Sequence, residues 1–143
     1  VGNLKVRLLK PESVFMNESG GPVQQWAHKN GILPSEMLIV CDDFSIPLGQ
    51  LRMRLKGSSG GQNGLKSILE RFGTLAVPRL RVGIGPVPEG MDPADFVLQG
   101  FAKNDEHVAE EAIGRAADAV LVAVQEGIEA AMNRFNLRKG EDA

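Results

Sequence analysis

The run Gly57-Ser58-Ser59-Gly60-Gly61-Gln62-Asn63-Gly64 separates two segments whose apolar residues repeat with different periods. Before it, Leu51, Met53 and Leu55 alternate with Arg52, Arg54 and Lys56, the pattern of a half-buried strand. After it, Leu65, Ile68, Leu69 and Phe72 fall at helical spacing, and Gly73 closes the segment. A strand therefore runs into a glycine-rich loop, and the loop opens a helix. Free N–H groups at a helix start, beside glycines that let another molecule come close, suit an anion or a carbonyl oxygen. A flexible strand-to-helix connection would use the same glycines. Two nucleotide motifs are excluded. A P-loop needs Gly-Lys-Ser/Thr, but Gly64 is followed by Leu65 and Lys66; a dinucleotide turn needs a third glycine that Gly83-Ile84-Gly85-Pro86 does not supply.

The rest of the chain continues the alternation of strand and helix. Leu4, Val6 and Leu8 alternate with Lys5 and Arg7 as a strand that Lys10-Pro11 ends. Residues 12–21 read as loop, and Pro22 suits the first position of a helix through Val23, Trp26 and Ala27 that stops at Asn30-Gly31. Met37 to Cys41 is a continuous apolar run before Asp42-Asp43, as expected of a central strand covered on both faces. Residues 44–49 turn the chain. Leu80, Val82 and Ile84 form a further strand with Arg79 and Arg81 on its opposite side, and Phe96-Val97-Leu98 reads as a short strand or a lid segment. A last long helix is capped by Asn104 or Asp105. Its core stripe runs through Val108, Ala112, Ala116, Val120, Val124, Ile128, Met132 and Phe135. Glu106, Glu110 and Glu111 lie near its start and Arg134, Arg138 and Lys139 near or past its end, as the helix dipole favours. The pattern is that of a single α/β domain over residues 1–143: a twisted mixed sheet flanked by helices, with a long C-terminal helix.

Composition narrows the class further. At 143 residues, 43% hydrophobic and 24% charged, the chain is long enough for one real core and ordinary for a soluble protein. No apolar run reaches the length of a membrane span. A single cysteine, Cys41, cannot form an internal disulfide, which points to a reducing compartment and to a small core residue. Residues 1–81 carry 11 Lys and Arg against 6 Asp and Glu, whereas residues 82–143 carry 5 against 12. A basic part that also holds the glycine loop fits a polyanionic partner, although an uneven surface gives the same count.

Loops at strand ends are where α/β sheets build sites. Three of them present polar groups: Met16-Asn17-Glu18, Asp42-Asp43 and Gln62-Asn63. Asparagine offers donor and acceptor without titrating, so two can orient a water and stabilise an oxyanion. An aspartate at a central strand end can orient an imidazole. Asn and Asp are also common turn formers, so each residue alone is a weak signal. With one cysteine and two distant histidines, no metal constellation and no cofactor is expected.

Four motifs in order carry a resemblance. Lys10-Pro11 with Phe15-Met16-Asn17-Glu18-Ser19-Gly20, then Leu38-Ile39-Val40-Cys41-Asp42-Asp43 with Ile46-Pro47 and Gly49, then Gly60-Gly61-Gln62-Asn63-Gly64-Leu65-Lys66-Ser67-Ile68, then Arg79 to Pro86, resemble the bacterial peptidyl-tRNA hydrolase family from about Leu4 to Asn136. The resemblance implies a cytoplasmic, monomeric enzyme that hydrolyses the ester between peptide and tRNA and recycles tRNA from stalled translation. It implies that Asp42 holds a histidine acting as general base, and that Asn17 and Asn63 bind the peptide and the attacked carbonyl. Met16 would line the peptide pocket, and Arg54 and Arg81 would hold tRNA phosphates.

The family's histidine and a further asparagine lie before the first matched strand; His28 and His107 match neither, and Gln62 stands where many relatives have histidine. Val1 already lies in a strand-like segment, so upstream sequence is expected. The chain alone is expected to be inactive and to expose a sheet edge able to pair into a dimer. An alternative is a non-catalytic RNA-binding relative, similar to plant organelle splicing factors; retention of Asn17, Asp42 and Asn63 argues against it. A small-substrate esterase would need a Gly-x-Ser-x-Gly elbow, which is missing.

Overall fold

The computed structural model describes residues 1–12 and 15–136. Its three strands are β1 (Ile39–Pro47), β2 (Leu51–Arg54) and β3 (Arg79–Gly85), in the order β1-β3-β2. The helices are α1 (Gly20–Asn30), α2 (Asn63–Phe72), α3 (Pro93–Leu98), α4 (Glu106–Glu126) and α5 (Ile128–Phe135), with 3-10 turns at Met16–Glu18 and Pro34–Glu36. The fold is α/β with a mixed sheet, as the alternating periods require. Two compact units make up the described chain: Val1–Cys41 with Arg54–Arg79, and Asp42–Met53 with the chain from Leu80 onward.

In the first unit α1 packs against α2. Val23 and Ala27 of α1 and Leu65, Ile68 and Leu69 of α2 are buried. Leu65 and Leu69 cluster with Val77, and Met37 and Ile39 pack on that cluster. Each such side chain stabilises by roughly 1.5–3 kcal/mol when fully buried. The helices approach closely because Gly20 has no side chain: a Cβ there would run into the carbonyl of Ser67, while its N–H donates to Ser67 Oγ at 2.8 Å. Both helices stop at a left-handed glycine, Gly31 and Gly73, each with φ of 66°.

The second unit buries Ile46, Leu51, Met53 and Leu80, and from the helices Ala109, Ala112, Ala116, Ala119 and Ala131. Arg115 Nη1 donates to the carbonyl of Gly49 at 2.9 Å, which ties α4 to the turn between β1 and β2. Gly49 has φ of 93°, and a Cβ on it would sit 3.1 Å from Val108. The side chain of Asn136 stands in for a strand partner: Met53 N–H donates to its Oδ1 at 2.6 Å and its Nδ2 donates to Met53 carbonyl at 2.8 Å.

Several expectations are corrected. Residues 4–8 form no strand, and Leu8 is 94% exposed. Alternation alone makes no strand without a ladder partner. Arg7 instead donates to Asn30 Oδ1 at 2.9 Å and lies over the Trp26 ring. The expected loop at 12–21 holds a 3-10 turn, and α1 begins two residues before Pro22. β1 starts at Ile39, runs through Asp42 and Asp43, and leaves Val40 half-exposed, so it is not covered on both faces. The turn falls at 48–50 rather than 44–49, with Gln50 N–H donating to Pro47 carbonyl.

Leu55 lies outside β2 and is exposed. Arg79 does not face solvent but is buried. Residues 96–98 are helical, in α3, because Asp92 caps that helix by accepting from Ala94 N–H at 2.9 Å. The last helix breaks at Gly127, whose φ of 98° no helix interior accommodates. Ala112 and Ala116 of the expected stripe are buried, joined by Ala109 and Ala119, whereas Val108 is exposed and Val120 and Val124 are only partly buried. Asp105 is the N-cap residue but makes no side-chain cap bond. Arg138 and Lys139 lie outside the described residues.

Candidate active site

The glycine loop delivers Asn63 as the first residue of α2. Gly60 and Gly61 have φ of 61° and 89°, backbone conformations that residues bearing a side chain seldom adopt. Gln62 then caps the helix: its Oε1 accepts from Leu65 N–H at 2.7 Å. That bond satisfies one of the donors a helix start leaves open and fixes the first turn. Asn63 itself is exposed, with its side chain at the positive end of α2.

The turn carrying Met16 and Asn17 packs against α2. Gln62 Nε2 lies 3.2 Å from Met16 Sδ, and a Cβ on Gly64 would meet Met16 Cγ at 3.0 Å. Glycine at 64 is therefore what lets Met16 reach the helix start. Asn17 lines an open groove of about 480 Å³ with Glu18, Ser67, Glu70 and Arg71, and Asn63 is not among its lining residues. The first unit thus brings the Met16–Asn17 turn to the end of α2 that bears Asn63. Arg54, the last residue of β2, belongs to the first unit and is exposed.

In the second unit, Asp42 is half-buried on β1 and Asp43 beside it is buried. Asp43 Oδ1 accepts from Ser45 N–H at 2.8 Å and from Ser45 Oγ at 2.5 Å, and its Oδ2 pairs with Arg81 Nη1 at 3.1 Å. Arg81 is therefore an ion-paired side chain on β3 rather than a free cation on an exposed face. His28 is exposed on α1, and His107 is exposed and pairs with Glu111 at 3.1 Å on α4. Among the described residues no group of three or more His, Cys, Asp and Glu is placed to hold a metal, and no helix is long and apolar enough to cross a membrane.

Exposed amide donors at a capped helix start, next to a methionine, suit a polarised carbonyl with an apolar neighbour. The family model described as Peptidyl-tRNA hydrolase matches residues 1–143. The chain belongs to the peptidyl-tRNA hydrolase family. The peptidyl-tRNA hydrolase of Elusimicrobium minutum is 49% identical over 136 residues, 95% of this chain and 72% of that protein. That of Chloroflexus aggregans is 46% identical over 133 residues, 92% and 70% of the two chains. The crystal structure of the Acinetobacter baumannii hydrolase superposes with a TM-score of 0.78 at 32% identity, over 87% of this chain and 63% of that one. The chain thus spans less than two thirds of the length of that solved hydrolase. Each of these relatives is a peptidyl-tRNA hydrolase, which leaves the splicing-factor alternative without support.

The motifs pointed to Asn17, Asp42 and Asn63 as expected site residues. They did not reveal the Asp43–Arg81 pair or the capping role of Gln62. For the latter a signal existed: a polar side chain three residues before the first helical leucine is where a cap belongs.

Proposed function

We propose that the whole protein, as one hydrolase domain, cleaves the ester between a peptide and its tRNA, and that this chain supplies the groups that hold the carbonyl, the base and the phosphates. The observation that carries the reading is the exposed Asn63 on a helix start that Gln62 caps and Met16 flanks. A base takes a proton from water as its oxygen attacks the ester carbonyl. The carbonyl oxygen becomes an oxyanion, to which the side-chain amide of Asn63 donates while that of Asn17 binds the peptide. The bond to the ribose oxygen then breaks; that oxygen takes a proton, and the products are a peptide carboxylate and tRNA. Asp42 orients the histidine that acts as base. Met16 contacts the peptide, and Arg54 and Arg81 the phosphates. No cofactor enters the reaction. The protein works as a cytoplasmic monomer, freeing tRNA from stalled translation.

Release of peptide from an N-blocked aminoacyl-tRNA by the full-length protein tests this. Asn63→Ala is expected to lower kcat by about 100- to 1000-fold, the usual cost of one oxyanion donor. His28→Ala and His107→Ala are expected to leave it unchanged. An unsubstituted protein that releases no peptide overturns the proposal.

A further inference from the structure

Arg79 opens β3 and is 1% exposed, yet its guanidinium is occupied by backbone. Nε donates to Val77 carbonyl at 2.8 Å, Nη1 to Ser58 carbonyl at 2.8 Å, and Nη2 to the carbonyls of Gly57 at 2.9 Å and Leu75 at 3.2 Å. Gly57 N–H donates to the same Leu75 carbonyl at 3.1 Å. The fork thus joins the first two residues of the glycine loop to the segment that leads into β3. Beyond Ser58 the loop is held from within, Gln62 N–H donating to Ser59 carbonyl at 3.2 Å. Gly57, Gly60 and Gly61 all have positive φ, and Gly61 N–H reaches Ser59 Oγ only at 3.4 Å. Asn63 follows Ser58 by five residues.

We infer that Arg79 is a positioning residue: it fixes the entry of the glycine loop and, through it, sets where Asn63 stands. The inference deepens the proposed function and rests on it for the role of Asn63. An oxyanion donor must be held to within about 0.5 Å of its productive place, and displacement by about 1 Å can lower a rate 100-fold. A loop of glycines cannot hold that tolerance by its own backbone preferences. A planar guanidinium can, because its donors diverge in fixed directions; a lysine ammonium offers one centre and cannot span four carbonyls.

The experiment compares Arg79→Lys with the unsubstituted full-length protein by amide hydrogen exchange and by steady-state hydrolysis of peptidyl-tRNA. Exchange across residues 57–62 is expected to rise at least about tenfold while α1 and α4 keep their protection. Turnover is expected to fall at least about tenfold in kcat with KM within about twofold, since the phosphate contacts are untouched. Unchanged exchange at 57–62, or a rise spread evenly over the chain, overturns the inference, as does a local rise with kcat intact. If Arg79→Lys does not fold, the Nε–H of Arg79 in the unsubstituted protein decides: a signal protected from solvent exchange at neutral pH supports the clamp, and one lost like an exposed guanidinium overturns it. A protein without hydrolytic activity would refute the proposed function, and the exchange result would still judge the clamp.

Discussion

Asp43 and Arg81 form an ion pair between neighbouring strands β1 and β3, with Nη1 3.1 Å from Oδ2 and side chains only 4% and 15% exposed. Asp43 is fully engaged, because its other oxygen accepts twice from Ser45. Arg81 is less well served: among the described residues its buried Nε has no hydrogen-bond partner. Such a pair is a weak source of stability while intact. Its importance shows when one member is removed and the other stays buried and charged.

Asp43→Asn is therefore expected to destabilise the protein by about 3 kcal/mol, most of it the cost of an uncompensated guanidinium. Replacing Arg81 by Met as well should recover much of that loss. Urea unfolding of the two single variants and the double variant reads the coupling directly. Equal stability of Asp43→Asn and the unsubstituted protein would show that water, not Asp43, satisfies Arg81.

Asn136 offers a second case in which one side chain does the work of a strand. Both backbone groups of Met53, a fully buried residue, end on its carboxamide. Asn136→Ala leaves a buried donor and a buried acceptor without partners, each costing about 1–3 kcal/mol. We expect a loss of about 2–4 kcal/mol in urea unfolding. Asn136→Asp keeps the acceptor for Met53 N–H and loses the donor, so it should fall between the two. A ranking in which Asp is as poor as Ala would mean that only the donor matters.

The parts of this fold legible in the sequence are those whose cause is local. Strand β2, the glycine loop and α2 follow one another because alternation, glycine and helical spacing are properties of adjacent residues. Asn63, read as part of the loop, is the first residue of α2, two residues before the helical spacing begins at Leu65. Arg79 was not legible: a basic residue alternating with Leu80 and Val82 looks like a solvent face, and its burial depends on carbonyls at positions 57, 58 and 75. Leu4 to Leu8 misled in the opposite sense, since alternation describes what a strand would bury and says nothing of whether a ladder partner exists. The core stripe expected for the last helix is right at Ala112 and Ala116 and fails at Val108, which is exposed. A spacing of four residues drifts around a helix of 3.6 residues per turn, and the face buried in α4 follows the alanines at 109, 112, 116 and 119.

Arg54 and Arg81 are both proposed to contact phosphate, but their surroundings differ. Arg54 ends β2 with its side chain exposed, whereas Arg81 is held by Asp43. An exposed cation contributes to tRNA binding chiefly by displacing condensed counterions, so its loss should appear in the salt dependence. Arg54→Ala is expected to weaken tRNA binding uniformly across tRNA sequences and to reduce the slope of log K against log salt by about 1. Its kcat should stay unchanged, because the ester chemistry does not involve that side chain. Arg81→Ala should instead lower stability as well as affinity, since it leaves Asp43 buried without its partner. Filter binding of tRNA from low to moderate salt, alongside urea unfolding, separates the two. An Arg54→Ala protein with the full salt slope would remove Arg54 from the tRNA interface.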